Sequence, residues 1–296
     1  MKSHIAFYQQ HLNLRDAIFE PIIHENAIVA IVYKIRIQSS NTSYILKICT
    51  RAKDYLNEVY FLNYFANILT VPRIIQVIEP EEGVNGAILM EYIPGTLLTL
   101  NDFTNELAYQ IGQTLARIHQ QRTTSYGDLS QPDSLSNDPR TYFIHKFEEG
   151  LAECGTLLPQ TLVDQCRAYF NAQIDLLLQA DGPCIVHRDF RPGNIIINNG
   201  KLQGIIDWSA ARASFAQEDF CSLEHNNWPA NPEHKESFMQ GYASIRAIPD
   251  YHAIMPLLRL CKALAVIGFT VKRGTWQNQD ARLYRYNREF LDDFFT

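Results

Sequence analysis

Between Cys184 and Trp208 the chain reads Cys-Ile-Val-His-Arg-Asp-Phe-Arg-Pro-Gly-Asn-Ile-Ile-Ile-Asn-Asn-Gly-Lys-Leu-Gln-Gly-Ile-Ile-Asp-Trp, and no other stretch limits the possible folds as tightly. Two apolar runs, 184–186 and 195–197, bracket a polar loop that holds His187, Arg188, Asp189 and Asn194, and a third run, 204–206, ends on Asp207. Runs this short between Pro, Gly and Asn read as small buried strands. The loop between the first two therefore has fixed ends, which can hold two carboxylates and an amide close together.

That arrangement has a specific chemical use. Moving a phosphoryl group from a nucleotide to a hydroxyl calls for a carboxylate that orients the acceptor and takes its proton, and for oxygen ligands that hold Mg²⁺ on the phosphates. Asp189 suits the first task, and Asn194 and Asp207 the second. The order His-Arg-Asp, four residues, Asn, then Asp before an aromatic is that of a kinase catalytic loop and its metal aspartate. A buried polar turn with two structural aspartates is the alternative reading.

The stretch resembles the aminoglycoside phosphotransferase and choline kinase superfamily, whose members carry His-x-Asp-x-x-x-x-Asn and then Ile-Asp-Trp or a close variant. Residues 187–194 and Ile206-Asp207-Trp208 match that pattern, and Asp219-Phe220 resembles the Asp-Leu that follows it. The run Asp207-Trp208-Ser209-Ala210-Ala211 is also similar to the matching segment of hygromycin and macrolide phosphotransferases. The resemblance implies an α+β, two-lobed protein-kinase-like fold: a small antiparallel β-rich lobe over 1–94 that binds nucleotide, and a larger, mostly helical catalytic and substrate lobe over 95–296. A helical insertion at about 121–183 would supply substrate walls.

Composition sets the bounds. A chain of 296 residues buries about three quarters of its unfolded surface, and 46% hydrophobic with 20% charged residues is an ordinary globular balance. A net charge of -6 makes nucleic acid a poor partner and is compatible with a cationic small substrate. The six cysteines are far apart and form no Cys-x-x-Cys pair, so neither zinc nor a disulfide framework is expected. No secretory signal is visible. The apolar run 254–269 is interrupted by Arg259 and Lys262 and is too short to span a bilayer. A cytoplasmic protein without membrane contact is expected.

Residues 28–37 alternate as a half-buried strand, 38–43 turn the chain, and 44–49 form a second, antiparallel strand carrying Lys47 on the side of Ile45 and Cys49. Eleven residues on, Glu58 shares a helical face with Leu62, Phe65 and Leu69, so it points inward and needs a partner. A strand lysine followed by an inward helix glutamate is the ion pair with which kinases steady the α- and β-phosphates. The segment 22–27, where kinases place a glycine-rich loop, contains no glycine, and Glu25 there is unfavourable beside a triphosphate unless it points away.

A strand at 73–79, a turn at 80–86 and a buried strand over 87–93 follow, the last ending in Pro94-Gly95. The resemblance makes this the hinge between lobes, with Glu91, Tyr92 and Ile93 contacting adenine mainly through main chain. Leu107, Ile111, Leu115 and Ile118 mark a helix over 104–120 with Thr104 as N-cap, ending in a His119 expected to be packed and hydrogen-bonded. Helices are expected through about 154 and over about 160–179, with Glu148, Glu149 and Glu153 on a solvated face. The segment after Asp207 is short and lacks the Ala-Pro-Glu that closes a protein-kinase activation segment, and Arg188 has no visible partner, so a protein substrate is disfavoured. Asp219 is expected to hydrogen-bond backbone. Apolar-periodic segments at 238–245, 254–271 and 284–295 read as further helices, where Trp228 and Trp276 could stack on a sugar and Asp292 or Asp293 meet an amine.

The combined expectation is an ATP- and Mg²⁺-dependent kinase acting on a small-molecule hydroxyl, with an aminoglycoside-like or other antibiotic as one candidate acceptor. Asp189 acts on the acceptor, Asn194 and Asp207 hold metal, and Lys47, positioned by Glu58, binds phosphates. Choline, amino-alcohol or sugar kinases of the same superfamily, or a non-catalytic nucleotide-binding scaffold, are the alternatives.

Overall fold

The computed structural model describes residues 2–22, 30–40 and 42–296, so most of the glycine-free segment, including Glu25, lies outside the described residues, as do Ile28 and Val29 of the expected strand. Helix α1 (Lys2–His11) leads into a five-stranded antiparallel sheet of β1 (Ala17–Pro21), β2 (Ala30–Ile37), β3 (Ser43–Cys49), β4 (Ile74–Ile78) and β5 (Gly86–Glu91), with α2 (Ala52–Phe65) inserted after β3. Strand order is β1-β2-β3-β5-β4. The sequence reading begins its strands at 28 and so misses α1 and β1, although Ile5, Tyr8 and Leu12 fall at helical spacing and pack under the sheet.

Period-two alternation divides the sheet between two cores. Leu46, Ile48, Ala87 and Leu89 face α1, whereas Cys49, Ile88 and Met90 turn to α2 and join the large core that continues through the rest of the chain. Lys47 lies opposite Ile88 in the β3–β5 register and shares the α2-facing side with Cys49. The chain leaves β5 through Gly95, whose φ of 152° and near contact with Ile197 admit no side chain: a Cβ there would stand 2.3 Å from the Ile197 carbonyl oxygen.

Beyond Gly95 come β6 (Thr96–Leu97), α3 (Asn105–His119), α4 (Arg140–Cys154), α5 (Gln160–Gln173), β7 (Cys184–Val186), β8 (Ile195–Asn198), β9 (Lys201–Ile205), β10 (Arg212–Ser214), α6 (Gln217–His225), α7 (Pro232–Ala243), α8 (Met255–Lys272) and α9 (Ala281–Phe294). The expected N-cap is present, with Thr104 Oγ1 accepting from Leu107 N at 3.1 Å. All four periodic residues of α3 are fully buried. α3 and α7 cross closely because Gly112 and Gly241 face the partner backbone, and a Cβ on either would lie 2.0 Å from a carbonyl oxygen. Helices α4 and α8 pack together, and Glu148, Glu149 and Glu153 form surface pairs with Arg167, Lys146 and Lys272. Among the described residues no helix is long and apolar enough to cross a membrane.

Candidate active site

The loop after β7 is held from behind. Asp219, fully buried in the first turn of α6, accepts from His187 N at 2.8 Å and Arg188 N at 2.6 Å, and contacts His119 Nε2 at 3.0 Å. Burial depresses the His119 pKa against the pull of Asp219, so the imidazole is neutral, with Nε2–H donating to Asp219 and the Tyr242 hydroxyl donating to Nδ1 at 2.9 Å. His119 and Asp219 therefore do the structural work the sequence assigns them. Arg188 is driven to φ 66° by this clamp, a conformation that costs a non-glycine residue energy and persists where surroundings over-determine it.

Asp189 then emerges half-exposed, its carboxylate held by Arg191 Nε at 3.0 Å from each oxygen and by Asn194 Nδ2 at 2.7 Å. Asn194 Nδ2 also donates to the Asp189 carbonyl at 2.8 Å. The second half of the loop is tied to Asp207 through backbone, since Ile206 N donates to Asn194 O at 3.0 Å and His187 Nε2 lies 3.2 Å from Ile206 O. Asp207, also at positive φ (64°), closes the group.

Lys47 bridges to the sheet. Its Nζ stands 2.8 Å from Glu58 Oε2 and 2.8 Å from Asp207 Oδ1, with Glu58 2% exposed and Lys47 9%. Burial works against the ammonium, but the Glu58 and Asp207 carboxylates outweigh it and hold its pKa above the usual lysine range. Burial likewise opposes ionisation of Asp207, yet Lys47 and the Ser209 hydroxyl at 2.9 Å bring its pKa down to about 2. Helix α2 is held in this position by Asn57 Nδ2, which donates to Ser209 O at 3.0 Å, and by Ser130 Oγ, which donates to Asn57 Oδ1 at 2.7 Å.

Thus Lys47, Glu58 and Asp207 meet, Asp189 and Asn194 meet, and backbone joins the two groups. Glu91, Tyr92 and Ile93 stand apart at the end of β5: Glu91 pairs with Arg73, the Lys34 ammonium sits 3.9 Å over the Tyr92 ring, and Ile93 packs against Gly204 of β9. Among the described residues none of the three hydrogen-bonds to either group.

Two oxygens suit a hard divalent ion. Asn194 turns its amide nitrogen to Asp189, which leaves Oδ1, and Lys47 and Ser209 both take Asp207 Oδ1, which leaves Oδ2. That is the pattern expected for Mg²⁺, which uses one or two protein ligands with phosphates and water, and these residues fit it.

The structure corrects expectations at Arg188, Trp228 and Asp292. Arg188 does have a partner: its Nε pairs with Glu218 Oε1 at 2.7 Å, and Arg212 of β10 binds the same carboxylate at 2.9 Å while its guanidinium lies 3.0 Å over the Tyr142 ring. Burial raises the Glu218 pKa, but the two guanidiniums win and lower it to about 2. Glu218 carries no periodic or motif signal beyond its place before Asp219-Phe220. Trp228 is also core, packed on Phe103, Phe190 and Phe238, and Asp292 is taken by Arg288. Trp276 stacks obliquely on Tyr284.

Known proteins share this architecture. The family model described as "Phosphotransferase enzyme family" matches residues 28–257. A homoserine kinase of Gluconobacter oxydans (strain 621H) is 28% identical over 205 residues, covering 66% of this chain and 61% of that protein, so the chain spans about three fifths of the length of that curated relative. The crystal structure of aminoglycoside phosphotransferase APH(4)-Ia superposes with a TM-score of 0.73 at 14% identity over 99% of both chains. Plasmodium vivax ethanolamine kinase superposes at 0.66 and 14% identity, over 97% of this chain and 85% of that one.

Proposed function

The chain belongs to the phosphotransferase enzyme family, and from that premise we propose that it transfers the γ-phosphate of ATP to a hydroxyl of a small molecule. The observation that carries this reading is one ammonium, Lys47 Nζ, held by both Glu58 and Asp207 and joined through Ile206 and Asn194 to the Asp189 loop. We place the boundary of the nucleotide lobe at residue 94, with Glu91, Tyr92 and Ile93 meeting adenine at the junction.

In this reading Lys47 binds nucleotide phosphates and Glu58 fixes it, while Asn194 and Asp207 are the residues that would hold Mg²⁺. The bound ion would neutralise charge on the phosphates. Asp189 accepts the hydroxyl hydrogen of the acceptor and aligns its oxygen with the γ-phosphorus. As the new O–P bond forms and the bond to ADP breaks, the proton passes to Asp189. Arg191, whose single Nε–H is shared by both Asp189 oxygens, keeps that carboxylate in place for the acceptor. Rate gain comes from positioning and charge neutralisation.

Aminoglycoside-like, choline, amino-alcohol, sugar and hydroxy amino acid acceptors differ only in what lies opposite Asp189. The relatedness to a homoserine kinase favours the last. A non-catalytic nucleotide-binding scaffold has the glycine-free segment in its favour. The test is ADP release across an acceptor panel, with phosphorylated product identified by mass. Turnover with at least one acceptor, lost in Asp189→Ala, is expected; nucleotide binding without transfer to any acceptor leaves the scaffold.

A further inference from the structure

The C-terminal helices beside the catalytic loop carry charge that no side chain among the described residues neutralises. Arg259 and Lys262 stand one turn apart on α8, half-buried, and among the described residues neither forms an ion pair. Lys262 Nζ donates to Ser222 Oγ at 2.8 Å, and that hydroxyl donates at 3.2 Å to the carbonyl of Arg188, the residue before Asp189. The Arg259 guanidinium lies 4.6 Å over the Phe290 ring, and its Nε is buried without an acceptor. Beside them His225, 1% exposed, donates from Nε2 to Asn287 Oδ1 at 2.8 Å and leaves Nδ1 buried with no partner.

Three carboxylates of α6 and α9 are already engaged. Glu224 takes Lys235 at 2.7 Å, Glu218 takes Arg188 and Arg212, and Asp292 takes Arg288. Burial, reinforced by Lys262 and Arg259 and opposed by the Asn287 bond, lowers the His225 pKa to about 4, so the imidazole adds no third charge at neutral pH. Two cations drawn partly out of water without a counter-ion are costly, and an anion placed between them would offset that cost. A polycationic aminosugar in the same place would add to it.

We propose that Lys262 and Arg259 seat a carboxylate of the acceptor, so that the substrate is a short hydroxy acid or hydroxy amino acid with its hydroxyl directed to Asp189. The inference rests on the small-molecule kinase reading and narrows its acceptor. The transfer itself is unchanged: the acceptor oxygen gains the phosphoryl group, its proton goes to Asp189, and ADP departs.

Matched acceptors test it, with ADP release as readout: L-homoserine against 3-amino-1-propanol, 4-hydroxybutyrate against 1,4-butanediol, glycerol 3-phosphate against glycerol, and hygromycin B as the polycation. In each of the first two pairs the acid should be used on the order of 10- to 100-fold more efficiently, the span of one or two charge-assisted hydrogen bonds. Lys262→Gln and Arg259→Gln should raise the KM for the acid by a similar factor with the KM for ATP little changed, and Lys262→Arg should recover part of it. Lys272→Gln, which removes an exposed cation from the same helix, is the control. Equal or better use of the uncharged partners, preference for glycerol 3-phosphate or hygromycin B, or acid KM values indifferent to both substitutions would overturn the carboxylate seat while leaving the kinase reading intact. If none of these acceptors releases ADP, calorimetry with L-homoserine and 4-hydroxybutyrate on the AMP-PNP-loaded protein decides: Lys262-dependent binding supports the seat, and no binding overturns it. Failure to bind AMP-PNP at all counts instead against the kinase reading.

Discussion

The proposed nucleotide half and the proposed acceptor half of the site handle charge in opposite ways. Around Lys47 the charges close on themselves, with one ammonium shared by Glu58 and Asp207 at 2.8 Å each. Around Lys262 and Arg259 they stay open, with the cations met, among the described residues, by a hydroxyl and an aromatic face in place of carboxylates. The contrast follows from what each half must hold. A triphosphate and its metal are the same for every acceptor, so their partners can be fixed in advance and pre-paired. In the proposal the acceptor supplies its own charge, and cations left unbalanced select for the ligand that completes them.

Substitutions that break this contrast can be ranked by expected effect. Asp189→Ala should lower turnover on the order of 10² to 10⁴-fold while nucleotide binding survives; turnover close to wild type would remove Asp189 from its role. Glu58→Ala leaves a buried ammonium with one partner in place of two, and a loss of about 3 kcal/mol in urea unfolding is expected, the lower end of what breaking a buried pair costs because Asp207 remains. The same variant should raise the KM for ATP and leave that for the acceptor alone, whereas Lys262→Gln should do the reverse. A shared response of both constants would erase the distinction between the halves.

Acid titration probes the charge clamp behind the loop. Glu218 has its folded pKa lowered to about 2, below its unfolded value, so its contribution is complete above that unfolded value and is lost as pH falls toward 2. The expected loss between roughly pH 5 and 2 is on the order of 3 kcal/mol, and Glu218→Gln should flatten that part of the stability profile. An unchanged profile would show that Arg188 and Arg212 do not depend on this carboxylate. Smallest of all, Thr104→Ala removes the N-cap of α3, far from both halves, and should cost about 1 kcal/mol of thermal stability with no change in either KM.

Legibility in the sequence followed how local each feature is. The catalytic loop sits within eight residues, so its spelling carries its geometry, and the Lys47–Glu58 pair was readable because a strand side and a helix stripe each announce which way they face. Asp219 was readable as a backbone ligand, though not that one carboxylate would take His187, Arg188 and His119 together. Glu218 was not, since it looks like any acidic residue in a first helical turn. Helix α1 has regular apolar spacing but only ten residues, and it acquires its buried face from the sheet above it.

The amino-acid order carried the motif whose family resemblance implied the two-lobed kinase-like architecture, the close grouping of Asp189 with Asn194, and the lysine–glutamate pair, because short motifs and strand and helix periodicities act over a few residues. Folding in three dimensions decided that Lys47 also reaches Asp207, 160 positions away, and that Arg188 is answered by Glu218. It also decided that Lys262 reaches the catalytic loop through Ser222, and that among the described residues neither it nor Arg259 has a counter-ion. Charge balance is a property of neighbours in space, and neighbours that distant in the chain are assigned only when the core closes around them.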